Sequence, residues 1–143
     1  PLQVSDDRVI TLEMVMQAQI GDGIEAVAVR TLPNLNKESF DYSGTNPAYF
    51  APDALKWLNS KGIKHLLCDI PSVDREDDGG KLLAHKAFFG EPENPEMHAT
   101  ITELIYIPDL ILDGIYMLNL QIANFESDAS PSRPLLFSIS PVI

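Results

Sequence analysis

From Ile24 to Thr31 the chain runs IEAVAVRT, almost continuously apolar, and reads as a strand buried on both faces. A second apolar run follows from Ile63 to Cys68. Between them Pro52 opens a helical pattern at a position where its missing N–H does no harm. Asp53 favours the N-terminal dipole, Ala54, Leu55 and Leu58 share one face, and Gly62 stops the helix. Strand, helix and strand in this order predict a right-handed parallel crossover between Ile24–Thr31 and Ile63–Asp69. Upstream, Thr11 caps a predicted helix over Leu12 to Gln19, with Glu13 in its first turn and Gly21 after its end. Leu82 to Phe89 is a short helix. From Thr100 the period changes to two, which predicts strands over Thr100–Ile107, Ile115–Ala123 and Leu135–Ile139. The sum is one α/β unit with a mixed sheet and no internal domain boundary.

The polar stretches separate these elements. Thr31 to Phe50 is rich in Asn, Pro, Ser and Gly and reads as a loop, long enough to be functional. Its aromatic residues Phe40, Tyr42, Tyr49 and Phe50 are candidate walls of a substrate pocket, or packing anchors. Asp74 to Lys81 is charged and Gly-rich, so an exposed loop is expected. Glu91 to Met97 reads as an acidic, proline-containing, solvated insertion.

Composition narrows the function classes. A chain of 143 residues suffices for one domain with a real core. Its net charge is −11 and its ten Lys and Arg are scattered, which argues against nucleic-acid binding. No apolar run approaches the ~20 residues of a membrane span. The single cysteine, Cys68, excludes an internal disulfide and a cysteine-based zinc cluster, and its place in an apolar strand favours a packing role. A reduced cytosol is compatible with a lone thiol, and a cytoplasmic location is the expectation. No signal peptide is visible, and the start at Pro1 without Met suggests a processed, cut or partial chain.

His85 shares a helical face with Leu82 and Phe89, a face expected to meet the core. Glu103 shares a strand face with Ile101, Ile105 and Ile107, where a carboxylate is costly unless paired, protonated or bound to a metal. Together they would suit a hard or borderline metal ion through one imidazole and one carboxylate, although two ligands do not make a site. Asp69 lies at the C-terminal end of a parallel strand, where open α/β sheets place ligands, or forms a turn before Ile70-Pro71. Asp74 is a second turn former. His65 and His98 read as packing or surface residues, and Asp128-Ala129-Ser130-Pro131 as a turn between strands.

Five segments in order resemble the cyclase family of metal-dependent hydrolases, which includes the bacterial kynurenine formamidases. They are Val29-Arg30-Thr31; Tyr49-Phe50-Ala51-Pro52-Asp53-Ala54 with Trp57-Leu58 and Gly62-Ile63; Asp69-Ile70-Pro71-Ser72-Val73-Asp74; Ala84-His85-Lys86; and Asp128-Ala129-Ser130-Pro131-Ser132-Arg133. The resemblance implies a swivelling β/β/α fold, with His85 and Glu103 as ligands of a divalent metal, zinc or manganese. It implies hydrolysis of a small amide, formamide or ester by a metal-activated water, in a protein that associates into oligomers. Family members also carry a His-x-Gly-Thr-His-x-Asp-x-Pro-x-His motif upstream, with the other ligands and a catalytic histidine. That motif is absent from these 143 residues. The expectation is therefore that residues 1–143 form the C-terminal part of a single domain, completed by a missing N-terminal segment or a second chain, and inactive alone. Two rivals stand beside this: a non-catalytic binding or structural module that keeps the fold, and a metal-free ligand-binding domain using the strand ends near Asp69.

Overall fold

The computed structural model describes residues 6–90 and 98–139. The Glu91–Met97 stretch, expected to be an insertion, lies outside them. Contacts divide the chain into two compact units, residues 1–107 and 108–143.

The first unit is an α/β layer around a parallel sheet of three short strands. β1 (Val9–Ile10), α1 (Leu12–Gln17) and β2 (Ala26–Val29) come first; β3 (Tyr49–Phe50), α2 (Pro52–Ser60), β4 (His65–Cys68), α3 (Leu83–Phe89) and β5 (Thr100–Thr102) follow. The sheet order is β2-β4-β5, all parallel, with Val29 opposite Cys68 and Leu66 opposite Ile101. β1 pairs in parallel with β3 as a separate two-residue ribbon. The expected parallel pairing across the helical crossover is present.

β4 sits in the middle, and Leu66, Leu67 and Cys68 are buried. α2 lays Ala54, Leu55 and Leu58 into the same core and packs against both α1 and α3. Each such leucine contributes about 1.5–3 kcal/mol by leaving water. α2 ends as its sequence dictates. Gly62 takes φ +84°, its N–H reaches Asn59 O at 2.8 Å, and Ile63 N–H reaches Leu58 O at 3.2 Å.

Several expectations need correction. β2 is an edge strand with Ala28 exposed, so its apolar run is not buried on both faces. α1 stops at Gln17, because Gln19 turns left-handed at φ +50° before Gly21 is reached. The Thr31–Phe50 loop holds a 3-10 turn at Lys37–Ser39 and ends in β3. The core face of α3 is Ala84 and Phe88, while Leu82 lies outside the helix, left-handed and exposed. Asp74, expected in an exposed loop, is buried at 7% relative exposure.

The largest correction concerns β5. It ends at Thr102, so Glu103 is not in a strand and does not alternate with Ile105 and Ile107. Leu104 adopts φ +55°, its N–H bonds Ile70 O at 3.0 Å, and Ile105 N–H bonds Cys68 O at 3.1 Å. A left-handed leucine costs roughly 1–2 kcal/mol, and Leu104 is 61% exposed, so little packing repays it. Leu104→Gly is therefore expected to leave the melting temperature unchanged or raise it by a few degrees. A thermal melt checks this; a marked drop would show that the leucine side chain holds the turn.

The second unit is a hairpin of β6 (Tyr116–Ile122) and β7 (Ser132–Ser138), antiparallel, with Tyr116 opposite Ser138 and Ile122 opposite Ser132. The Asp128–Pro131 turn signal falls between the two strands. β7 begins at Ser132 rather than Leu135 and carries Pro134 within it, which a strand with an open edge tolerates. Parallel and antiparallel pairing thus occur in separate sheets among the described residues. No helix there is long and apolar enough to cross a membrane.

Candidate functional site

Three segments that leave the sheet region converge on one carboxylate–imidazole corner. The turn after β4 supplies Asp74, α3 supplies His85, and the residue just beyond β5 is Glu103. Asp74 Oδ1 accepts the Ala84 N–H at 2.6 Å, and Oδ2 accepts the His85 N–H at 3.3 Å, so this side chain ties down the first turn of α3. Asp74 Oδ2 also lies 2.6 Å from His85 Nδ1. The other ring nitrogen, Nε2, faces Glu103 Oε1 at 3.6 Å. Glu103 Oε1 accepts the Val73 N–H at 2.8 Å, which anchors it to the residue before Asp74. The His85 ring leans on Phe89, centroids 6.1 Å apart. Two strained leucines flank the corner: Leu82, left-handed at φ +50° before α3, and Leu104 just after Glu103.

The sequence-predicted ligands His85 and Glu103 are thus brought together, each about a quarter exposed on its side chain at 27%. At roughly 2.0–2.2 Å per bond, an imidazole nitrogen and a carboxylate oxygen 3.6 Å apart can reach one divalent ion. The donor types fit a zinc-like or manganese-like ion. Among the described residues, no group of three or more His, Cys, Asp or Glu is placed to hold a metal.

Asp69 is not an open strand-end ligand position. Its side chain is fully buried and saturated. Oδ1 accepts the Thr31 N–H at 3.1 Å and the Thr31 hydroxyl at 3.0 Å, while Oδ2 accepts Lys37 Nζ at 2.6 Å. Lys37 also bonds the Thr31 carbonyl and, at 2.6 Å, the Thr31 hydroxyl. Asp69 therefore pins the start of the long loop to the end of β4. Tyr42 adds a bond from its hydroxyl to Asp69 O at 3.2 Å; burial and then the Asp69 charge push its phenol pKa up, so it stays a donor.

Further along the same loop, Glu76 accepts the Gly44 N–H at 2.6 Å and the Asn46 N–H at 2.9 Å. Arg8 donates to Asn46 O at 3.0 Å. So anchored, the loop presents Phe40 and Tyr42 edge to face, centroids 4.8 Å apart. These two line a cavity of about 460 Å³ together with Ser72, Asp74 and Leu104, and a second of about 560 Å³ with Thr31, Lys37 and Ile70. Both volumes suit a small molecule. The other two candidate wall residues lie elsewhere. Phe50 is fully buried in the core, and Tyr49 is buried with its hydroxyl 3.1 Å from Asp7 Oδ2; neither lines these cavities.

The remaining candidates take packing or surface roles. Cys68 is fully buried, and burial drives its thiol pKa up to about 12, which excludes a thiolate nucleophile at neutral pH. His65 Nδ1 meets Thr100 Oγ1 at 2.9 Å between β4 and β5. His98 is exposed. Sequence reasoning read Asp74 as a turn former and did not single out Lys37. The Asp-x-Pro-Ser-x-Asp segment contained Asp74, but nothing local links Lys37 to Asp69, 32 positions away.

Residues 2–75 match the family described as "Putative cyclase", which is just over half of the 143-residue chain. The chain belongs to the cyclase family. It is 32% identical over 117 residues to the kynurenine formamidase of Bacillus cytotoxicus, an alignment covering 80% of this chain and 50% of that protein. The chain thus spans about half the length of this curated relative. Two solved structures share the cyclase chain's fold. One is a potential metal-dependent hydrolase with cyclase activity, at TM-score 0.70 and 23% identity, covering 94% of this chain and 61% of that one. The other is a predicted metal-dependent hydrolase from Bacillus stearothermophilus, at TM-score 0.67 and 24% identity, covering 93% and 58%.

Proposed function

We propose that this chain is part of a metal-dependent hydrolase acting on a small amide, formamide or ester, with His85 and Glu103 as two of its metal ligands. The observation that carries the reading is the convergence of His85 Nε2 and Glu103 Oε1 to 3.6 Å beside an aromatic-walled cavity, in a chain of the cyclase family. The relative named kynurenine formamidase and the two metal-dependent hydrolases of like fold support it. The scaffold in this reading is the swivelling β/β/α type. Residues 1–143 form the C-terminal part of one domain, and the remaining ligands and a catalytic histidine come from a preceding segment or a second chain. The exposed Met117, Leu136 and Phe137 of the hairpin favour association with such a partner or with another copy.

In the site, Asp74 and Glu103 are held by backbone N–H groups, and Phe40 and Tyr42 form an aromatic wall on one side of the cavity. The chemistry that a bound zinc or manganese ion supplies is polarisation of a carbonyl and acidification of water toward neutral pH. A non-catalytic module is the second reading, favoured by the lack of a third ligand among the described residues.

The test uses the complete protein, encoded by the whole reading frame, with formanilide as a simple aryl formamide. Hydrolysis that stops on chelation and returns with Zn²⁺ or Mn²⁺ is expected. Hydrolysis indifferent to chelation would overturn the metal dependence, and hydrolysis absent with every metal would overturn the reading in favour of the non-catalytic module.

A further inference from the structure

The metal-dependent reading needs His85 to offer a lone pair at one particular nitrogen, and the surroundings of Asp74 bear on which one. Asp74 is almost fully buried, so its carboxylate must find hydrogen-bond donors inside the protein. An ionised carboxylate only accepts. Three donor positions surround it: the Ala84 N–H, the His85 N–H and His85 Nδ1, the last at 2.6 Å from Oδ2. The first two are backbone groups that always carry their hydrogen. The short third contact needs its hydrogen on Nδ1, because two bare lone pairs at that separation would repel. In the neutral ring this leaves Nε2 unprotonated, and Nε2 is the nitrogen that faces Glu103. Nε2 and Glu103 Oε1 are then two acceptors 3.6 Å apart with no proton between them, an arrangement that a cation relieves.

We propose that Asp74 is the positioning residue of this site: it fixes both the ring orientation and the tautomer of His85, leaving Nε2 as the lone-pair nitrogen aimed at the Glu103 side. The same side chain secures the first turn of α3 through Ala84 and His85, so the helix that carries the imidazole and the ring itself are set by one carboxylate. The tautomer stands on hydrogen-bond geometry alone; its consequence for metal affinity rests on the proposed function. Asp74 does not itself touch a reacting atom in this account.

Asn at position 74 separates the two roles. Its single oxygen can still accept a backbone N–H of α3, but its NH₂ cannot accept from the ring. The experiment is long-range ¹H–¹⁵N correlation of the full chain labelled at histidine, in chelator, read at the alkaline end of a pH series where the His85 signals no longer change. For His85 the expected spectrum has a pyrrole-like Nδ1 and a pyridine-like Nε2. In Asp74→Asn the two signals should exchange character or average, with the backbone amide spectrum otherwise preserved. A pyridine-like Nδ1 in the unsubstituted chain overturns the proposal outright, whether or not the variant folds. So does an unchanged His85 pattern in Asp74→Asn.

A second readout is Zn²⁺ affinity of the complete protein, expected to fall about 10–100-fold in Asp74→Asn. If the tautomer is as proposed but the unsubstituted protein binds no Zn²⁺, the positioning stands and the metal-dependent reading fails. If Zn²⁺ binds equally well to both proteins, Asp74 has no positioning effect on the metal site and that part of the proposal is overturned.

Discussion

Replacing Lys37 by Met is expected to destabilise the first unit by about 3–5 kcal/mol, the usual cost of stranding one partner of a buried ion pair. Asp69 has no exposed side-chain surface and Lys37 only 10%, so water cannot substitute for the lost ammonium. Asp69 would keep its Thr31 donors but lose the Lys37 ammonium, and Thr31 would lose two bonds from Lys37 at the same time. The melting temperature should fall on the order of 10 °C, from a few degrees per kcal/mol. Adding Asp69→Asn to the same chain removes the buried charge and should restore part of the loss. A Lys37→Met chain that melts like the unsubstituted one would mean that Asp69 finds another route to neutrality and that the clamp is dispensable. Because the clamp fixes the start of the loop bearing Phe40 and Tyr42, its failure should also loosen the wall shared by both cavities.

The largest effect on activity is expected from His85→Ala in the complete protein. Removing a metal ligand costs more than removing its hydrogen-bond partner, and the latter alone is typically worth about 10–100-fold. Chelator-sensitive hydrolysis should therefore drop by at least about 100-fold, and bound metal should fall with it. Glu103→Ala should act in the same direction. Val73 N–H, which Glu103 now satisfies, would also lose its acceptor, so a stability loss of about 1 kcal/mol accompanies it. His65→Ala serves as control: the His65 ring meets Thr100 Oγ1 at the start of β4, the end of the strand away from Asp74, and its loss should leave metal binding intact. Equal metal content in the His85→Ala and unsubstituted proteins would remove His85 from the site.

How much of this was legible in the sequence differs by element. α2 was written out almost in full, because Pro52, the Ala54–Leu55–Leu58 stripe and Gly62 are local signals that tertiary packing only confirms. The central strand β4 was clear from its apolar run. β1 and β3 were not, since two-residue strands carry no period. The break after Thr102 was invisible for a different reason: a left-handed leucine has no sequence signature, and the Ile-x-Glu-x-Ile-x-Ile alternation argued the other way. That break matters, because it explains how Glu103 escapes the cost of an apolar strand face. It leaves the sheet and turns toward Val73 and His85 instead.

The site followed the same division. His85 and Glu103 were singled out by position, resemblance to a family then implied that they are metal ligands, and the fold brings them within one ion's reach. Asp74 and Lys37 act through partners 11 and 32 positions away. Their importance lies in burial and pairing, which only the three-dimensional arrangement displays. The net charge of −11 adds a complication for any metal study, since surface carboxylates will attract divalent cations unspecifically.

Residue-resolved Mn²⁺ titration answers that complication and tests the central claim directly. The ¹⁵N-labelled complete protein, with the remaining ligands present, is titrated with substoichiometric Mn²⁺, alongside its His85→Ala variant, and paramagnetic broadening is read at each amide. The account predicts early, selective broadening at Ala84, His85 and Glu103 that disappears in His85→Ala. Broadening spread over the exposed acidic surface, or a pattern unchanged by His85→Ala, would contradict the assignment of His85 and Glu103 as ligands of one metal ion.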